Sequence, residues 1–235
     1  MSTSNQHTLL VGRTGSGKST LAKILADRYT ARAVVLDQQH EYELNGAVVC
    51  YELRQAMREF LRLRWQPFKL VFRPRDPADY MRLVELVQAA QQTEPHGPIV
   101  IFAEEASRYS ETNTIDPVLR GLYNEGRHDR ISVCAVIQVD TDIHRVTRHN
   151  SQVIVSFAQQ KLSGDMQRYF DAGVIEQLRA LDTLSARIDE PEQDVHFAVY
   201  PPHIDFYARW IDVHGWIAQP ETQEPAPGQN CPPVG

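Results

Sequence analysis

The chain has 235 residues, 42% apolar and 23% charged, which suits one α/β domain with a sizeable core plus a tail. Its longest apolar runs, such as Ile99–Ala103 and Val133–Ile137, are strand-sized and fall well short of the ~18 residues of a membrane span, and Met1–Thr8 lacks the order of a signal peptide. The net charge of −6 is segregated: residues 189–235 hold eight acids and one base, residues 1–188 are near +1, and residues 54–82 carry eight bases against three acids, so a local basic surface survives an acidic total.

Taken in chain order, strands alternate with helices. Thr8–Val11 reads as a strand, followed by a glycine-rich loop and a helix from Lys18 to about Tyr29. Ala33–Leu36 and Ala47–Tyr51 are further apolar runs. Leu53, Ala56, Met57, Phe60 and Leu61 recur with helical spacing, and Arg54, Arg58 and Arg62 fall on the opposite face. Lys69–Phe72 is a strand. Asp76–Pro77 caps a helix to about Gln92. Ile99–Ala103 is a strand ending in Glu104–Glu105, and Asp116–Pro117 opens a helix to about Glu125. Ile131–Ile137, ending in Gln138, and Val153–Phe157 are strands. Short helices over 164–171 and 173–181 and a late strand His196–Tyr200 complete the body. Apolar strands without alternation, separated by helices, predict a mostly parallel central sheet covered by helices on both faces. Residues 1–218 then form one domain. Residues 219–235, with five prolines and no periodicity, read as a disordered acidic tail. Cys50, Cys134 and Cys231 form no C-x-x-C pair, and the first two read as small buried hydrophobes in a reducing, cytoplasmic setting.

Gly12-Arg13-Thr14-Gly15-Ser16-Gly17-Lys18-Ser19, followed by Thr20, matches G-x-x-x-x-G-K-[ST] in full, between a predicted strand and a predicted helix. Glycines let backbone N–H groups turn inward on phosphates, and the helix N-terminus adds its positive end. Lys18 is then expected on the β and γ phosphates of ATP, with the Ser19 hydroxyl on Mg²⁺. A second acid strand must complete the magnesium site. Glu104 and Glu105 supply it: the first for the cation's shell, the second to polarise the attacking water, with the register open by one residue. Gln138, ending the next strand, is placed to meet the γ-phosphate or the water. Arg127, His128, Arg130, Arg145, Arg148 and His149 flank that strand. Lys161-Leu-Ser-Gly-Asp-Met-Gln167 imitates a transporter signature, but it follows the acids rather than preceding them. No N-K-x-D guanine reader is present.

Three further segments resemble the FtsK/HerA superfamily of DNA-translocating ATPases. Asp37-Gln-Gln-His-Glu41-Tyr42 is similar to D-p-x-x-E-Y, and Glu104-Glu105-Ala106 to D-E-A. Gly126–Gln138 is similar to G-R-x-x-G-I-H-L-x-x-A-T-Q, with Arg130 where the pattern has glycine. The resemblance covers roughly residues 8–175 and implies a RecA/ASCE-type P-loop NTPase fold and ATP hydrolysis with Mg²⁺. It also implies self-association into a ring, often a hexamer. Arg127, at the end of its strand opposite Gln138, matches the family's G-R pair and is expected to act as an arginine finger on a neighbour's ATP, with Arg130 its rival. The small size and motif pattern resemble the genome-packaging ATPases of tailless, membrane-containing icosahedral viruses. That implies double-stranded DNA as partner, a capsid or portal-vertex protein as a second, and a host-cytoplasmic or virion-associated location. Arg54, Arg58 and Arg62 are the candidate DNA contacts. A small-molecule or nucleoside kinase and a non-hydrolysing ATP-binding assembly protein are the competing readings.

Overall fold

Strands form where the apolar runs lie. A computed structural model of the chain describes residues 7–94, 97–126, 128–157, 164, 166–170, 172, 173, 175, 176 and 197–200. Among these residues seven strands are parallel: β1 (His7–Val11), β2 (Arg32–Leu36), β3 (Val48–Cys50), β4 (Phe68–Phe72), β5 (Ile99–Ala103), β6 (Ile131–Ile137) and β7 (Ser151–Phe157). An eighth, β8 (Phe197–Tyr200), pairs antiparallel with β7. Their order across the sheet is β3-β4-β2-β5-β6-β1-β7-β8.

The two-sided burial expected of such strands is met by helices on each face. Leu10, Val35, Val71, Phe102 and Cys134 face α1 (Lys18–Arg28), which contributes Leu21, Ala22, Leu25 and Ala26. Leu9, Val34, Leu70, Ile101 and Val133 face the other way. They pack with Phe60 of α2 (Leu53–Leu63), Val84 of α3 (Ala78–Thr93) and Leu119 of α4 (Pro117–Glu125). Each fully buried side chain of this size contributes about 1.5–3 kcal/mol, which explains why β2 and β6 contain no exposed residue.

Local signals set the helix starts. The Asp116 carboxylate accepts from Val118 N at 2.8 Å, with Pro117 as the first helical residue. The Asp76 carboxylate likewise accepts from Ala78 N at 2.9 Å, although the helix begins after Pro77 rather than on it.

Some expectations need correction. On α2 the buried stripe is Ala56, Phe60 and Leu63, while Leu61 is 40% exposed. At 100° per residue Leu61 lies roughly 130° from the centre of that stripe, on the same side as Arg54, Arg58 and Arg62. A short helix α5 (Arg145–Asn150) has no counterpart in the expected elements, because its residues carry no apolar period. Its start is fixed by His144, whose Nδ1 accepts from Val146 N at 3.1 Å. The helix expected over 164–171 is, where described, a 3₁₀ turn at Met166–Arg168. The one expected over 173–181 and the tail 219–235 lie largely or wholly outside the described residues. Among those residues, no helix is long and apolar enough to cross a membrane.

Because β1 to β7 are parallel, their carboxyl ends share one edge. Val11 pairs with Ile137, and Leu36 pairs with both Ala103 and Phe72. Loops leaving that edge are where an open α/β sheet builds its ligand site.

Candidate functional site

The loop leaving β1 starts at Gly12, whose N–H donates to Ile137 O at 3.2 Å. A Cβ on Gly12 would stand 2.6 Å from the Phe157 Cβ, so only glycine lets β1 turn there against β7. Gly15 and Gly17 adopt φ of 79° and 92°, the left-handed region, and Gly17 is the N-cap of α1. These turns direct the loop amides around the start of the helix, where its positive end adds to them. Lys18 is buried, with Nζ donating to Arg13 O at 3.3 Å across the loop. Burial lowers its pKa below the ordinary lysine value, and the charges of Glu104, Glu105 and Glu41 oppose that shift.

The second half of the site comes from β5. Ser19 Oγ donates to Glu104 Oε1 at 2.7 Å, joining residues 85 positions apart. The other oxygen of Glu104 accepts from the Tyr42 hydroxyl, also at 2.7 Å. Burial, then the Glu104 carboxylate, raises the Tyr42 pKa well above that of a free phenol, so it remains a donor. Glu105, the next residue, sits at φ 49° and turns its carboxylate away from that pair. Its oxygens meet the Gln39 amide and, at 2.7 Å, Arg108 Nη2.

The run from Asp37 to Tyr42 explains how Tyr42 arrives there. Asp37 is fully buried. Its carboxylate accepts from Glu41 N and Tyr42 N, each at 3.0 Å, and from Arg73 Nε at 2.8 Å. Arg73 Nη2 also donates to Tyr42 O at 2.9 Å. The loop is therefore closed on itself and bolted to the end of β4. The D-x-x-x-E-Y pattern signalled Asp37 and Tyr42 without their contacts; nothing in the sequence signalled Gln39, Arg73 or Arg108.

Of the other expected site residues, Gln138 is exposed and follows β6, the strand between β1 and β5, so it stands between the loop and the acids. Arg127 lies outside the described residues. Arg130 is exposed at the opposite end of β6, where its carbonyl accepts from Ile99 N at 3.0 Å. Its φ of 56° shows why the family pattern has glycine there. Arg148 is buried. Arg54, Arg58 and Arg62 are exposed on α2, and Glu59 lies within 3.7 Å of Arg58 and 2.7 Å of Arg62.

The donor set suits Mg²⁺ with a nucleotide. It offers a hydroxyl and a carboxylate oxygen side by side, without nitrogen or sulfur, next to a lysine and a glycine-rich helix start. Among the described residues no group of three or more His, Cys, Asp or Glu could hold a metal alone. A cation here would therefore lean on phosphate oxygens and water, as Mg²⁺ does.

Residues 2–193 match the family model described as helicase HerA, central domain. No curated protein sequence matches the chain. Among solved structures it is similar to the genome packaging NTPase B204 from Sulfolobus turreted icosahedral virus 2. The complex with AMP is 18% identical, with 83% of this chain and 92% of that one covered and a TM-score of 0.59. The complex with AMPPCP is also 18% identical over the same shares, with a TM-score of 0.55. The structure of B204, the DNA-packaging ATPase from Sulfolobus Turreted Icosahedral Virus, is 13% identical, with 85% and 98% covered and a TM-score of 0.54. At such identities the likeness is one of fold. The family match spans β1 to β7 and thus the loop, both acids and the strand between them: the chain belongs to the HerA central-domain family and is a P-loop ATPase of the FtsK/HerA type.

Proposed function

We propose that the chain is an oligomeric motor that hydrolyses Mg-ATP to move double-stranded DNA, and that its task is packaging a viral genome. The observation that carries the reading is the 2.7 Å bond between Ser19 and Glu104, with Glu105 beside it. It joins the phosphate loop to an acid pair suited to hydrolysis.

Each residue then has a physical task. The N–H groups of Gly12–Thr20 and the Lys18 ammonium hold the phosphates. Ser19 and Glu104 hold Mg²⁺, which neutralises phosphate charge when bound. Glu105 takes the proton of the attacking water. Gln138 reaches the γ-phosphate or that water from the middle strand. Arg127 serves a neighbour's ATP across a ring interface, for which a hexamer is the family's habit. DNA phosphates meet Arg54, Arg58 and Arg62, giving binding without sequence preference.

The family supports hydrolysis and DNA as the track. The fold likeness to B204 over 92% of its length supports packaging, with a capsid or portal-vertex protein as the docking partner and a host-cytoplasmic or virion setting. The test is ATP turnover with and without duplex DNA. Stimulation by DNA of any sequence, abolished in Glu105→Gln, is expected. Turnover that requires a small-molecule acceptor instead would identify a kinase, and none under any condition an assembly protein.

A further inference from the structure

The two neighbouring acids are held by different kinds of partner. Glu104 is 5% exposed, and its oxygens accept from Ser19 and from the buried Tyr42. Tyr42, 1% exposed, cannot leave without opening the core, and half-buried Ser19 belongs to the phosphate loop itself. Glu105 is half-buried, and its partners are the exposed side chains of Gln39 and Arg108. Either can swing into water at little cost.

Gln39 is also delivered to Glu105 by a dedicated piece of chain. Both ends of its loop are fixed, at Asp37 by the Glu41 and Tyr42 amides and at Tyr42 by Arg73. Between them His40 takes φ 58°, an uncommon backbone for a residue with a side chain. The turn that results sends Gln38 to the Tyr109 hydroxyl and Gln39 to Glu105, so two consecutive amides grip the segment after β5.

A carboxylate acts as a base through charge that is free to draw a proton. At Glu105 both oxygens are already engaged, one accepting from an amide and one ion-paired with a guanidinium. We propose that Gln39 is a positioning residue that restrains Glu105, holding it away from the water until the turn Gln38–His40 shifts, so that ATP turnover without DNA is kept low. This rests on Glu105 being the base, as assigned under the proposed function. The shift need not disturb the magnesium ligands, because Tyr42 and Glu104 are fixed separately from the turn that carries Gln39.

The test is steady-state ATPase activity of the full chain without DNA, comparing wild type with Gln39→Ala and Gln39→Glu. The second variant keeps the size of the side chain and loses the N–H donor. Both should raise kcat by about 2- to 10-fold, the factor that loss of one hydrogen bond commands, with KM for ATP unchanged. Stimulation by duplex DNA should shrink by the same factor, because its ceiling is unaltered. A gain of turnover cannot come from damage to the fold. Glu105→Gln and the double variant Gln39→Ala/Glu105→Gln should both be inactive. If Glu105→Gln is inactive while both Gln39 variants show an unchanged or lower kcat, Gln39 does not restrain the base and the proposal is overturned. If Glu105→Gln stays active, the assignment of the base is what fails.

Discussion

Tyr42 donates its phenolic hydrogen to Glu104 over 2.7 Å, from a loop 62 residues earlier in the chain and through an interior that excludes water from both groups. Tyr42→Phe would leave a buried carboxylate oxygen without its donor. That costs about 1–3 kcal/mol, so the unfolding midpoint in denaturant should fall with the m-value unchanged. Because the same carboxylate is the expected magnesium ligand, the Mg²⁺ concentration for half-maximal turnover should rise. An unchanged midpoint would mean that the bond contributes nothing.

Lys18→Ala should abolish turnover and leave the fold intact. Glu105→Gln should bind ATP and fail to hydrolyse it. If Glu104→Gln behaves that way and Glu105→Gln does not, the roles of the two acids are exchanged. The pH dependence of binding gives an independent check. Phosphate binding needs the charged Lys18, whose pKa burial holds below 10.5. Affinity for a fluorescent ATP analogue in EDTA should therefore fall as pH rises through that lowered value, earlier than for an exposed lysine. Among the neighbours that oppose the shift, Glu104 acts most strongly. Glu104→Gln should accordingly move the fall to still lower pH.

Arg127 and Arg130 separate by mixing and by stability. Arg127→Ala and Glu105→Gln, each inactive alone, should recover part of the activity in mixed oligomers, since some interfaces regain both groups. Arg130→Gly should keep its activity. It should also stabilise the fold by up to about 1 kcal/mol, because glycine removes the side-chain strain of φ 56° while adding some entropy loss. Full activity of Arg127→Ala together with inactivity of Arg130→Gly would transfer the finger to Arg130.

The α2 face offers a salt test. Arg54→Ala/Arg58→Ala/Arg62→Ala should weaken duplex binding on any sequence and flatten its dependence on log salt by up to about 0.9 for each phosphate no longer neutralised. Glu59 shares its charge between Arg58 and Arg62, so Glu59→Gln should strengthen binding. Equal affinity and slope in all three proteins would leave this face without a DNA role.

Thiol labelling reports on the core. Burial pushes the Cys50 thiol up to about 11 and raises Cys134 further, so neither is a ready nucleophile. A Cys231→Ser protein should show no fast reaction with a disulfide reagent until denaturant is added. Rapid labelling of the native variant would contradict the burial of β3 and β6.

Strand and helix positions were legible because apolar periodicity is local. Runs such as Ile131–Ile137 can be buried on both faces only in a covered parallel sheet, and the Asp116–Pro117 cap acts within two residues of itself. The loop Gly12–Thr20 was equally plain, since phosphate chemistry dictates its glycines and its lysine at fixed spacing. Leu61 misled because a helical stripe read from its first apolar residue leaves its centre undefined, and only packing against α3, β4 and β3 set the centre among Ala56, Phe60 and Leu63. The antiparallel pairing of β8 and the order that puts β6 between β1 and β5 depend on partners distant in sequence. The same holds for the two acids. By sequence they are adjacent and equivalent, and the register between them stayed open. The tertiary structure separates their surroundings: the left-handed backbone at Glu105 turns one carboxylate to exposed Gln39 and Arg108, while Glu104 stays buried between Ser19 and Tyr42. No local pattern carries that difference, because it arises where three loops from three parallel strands meet at one edge.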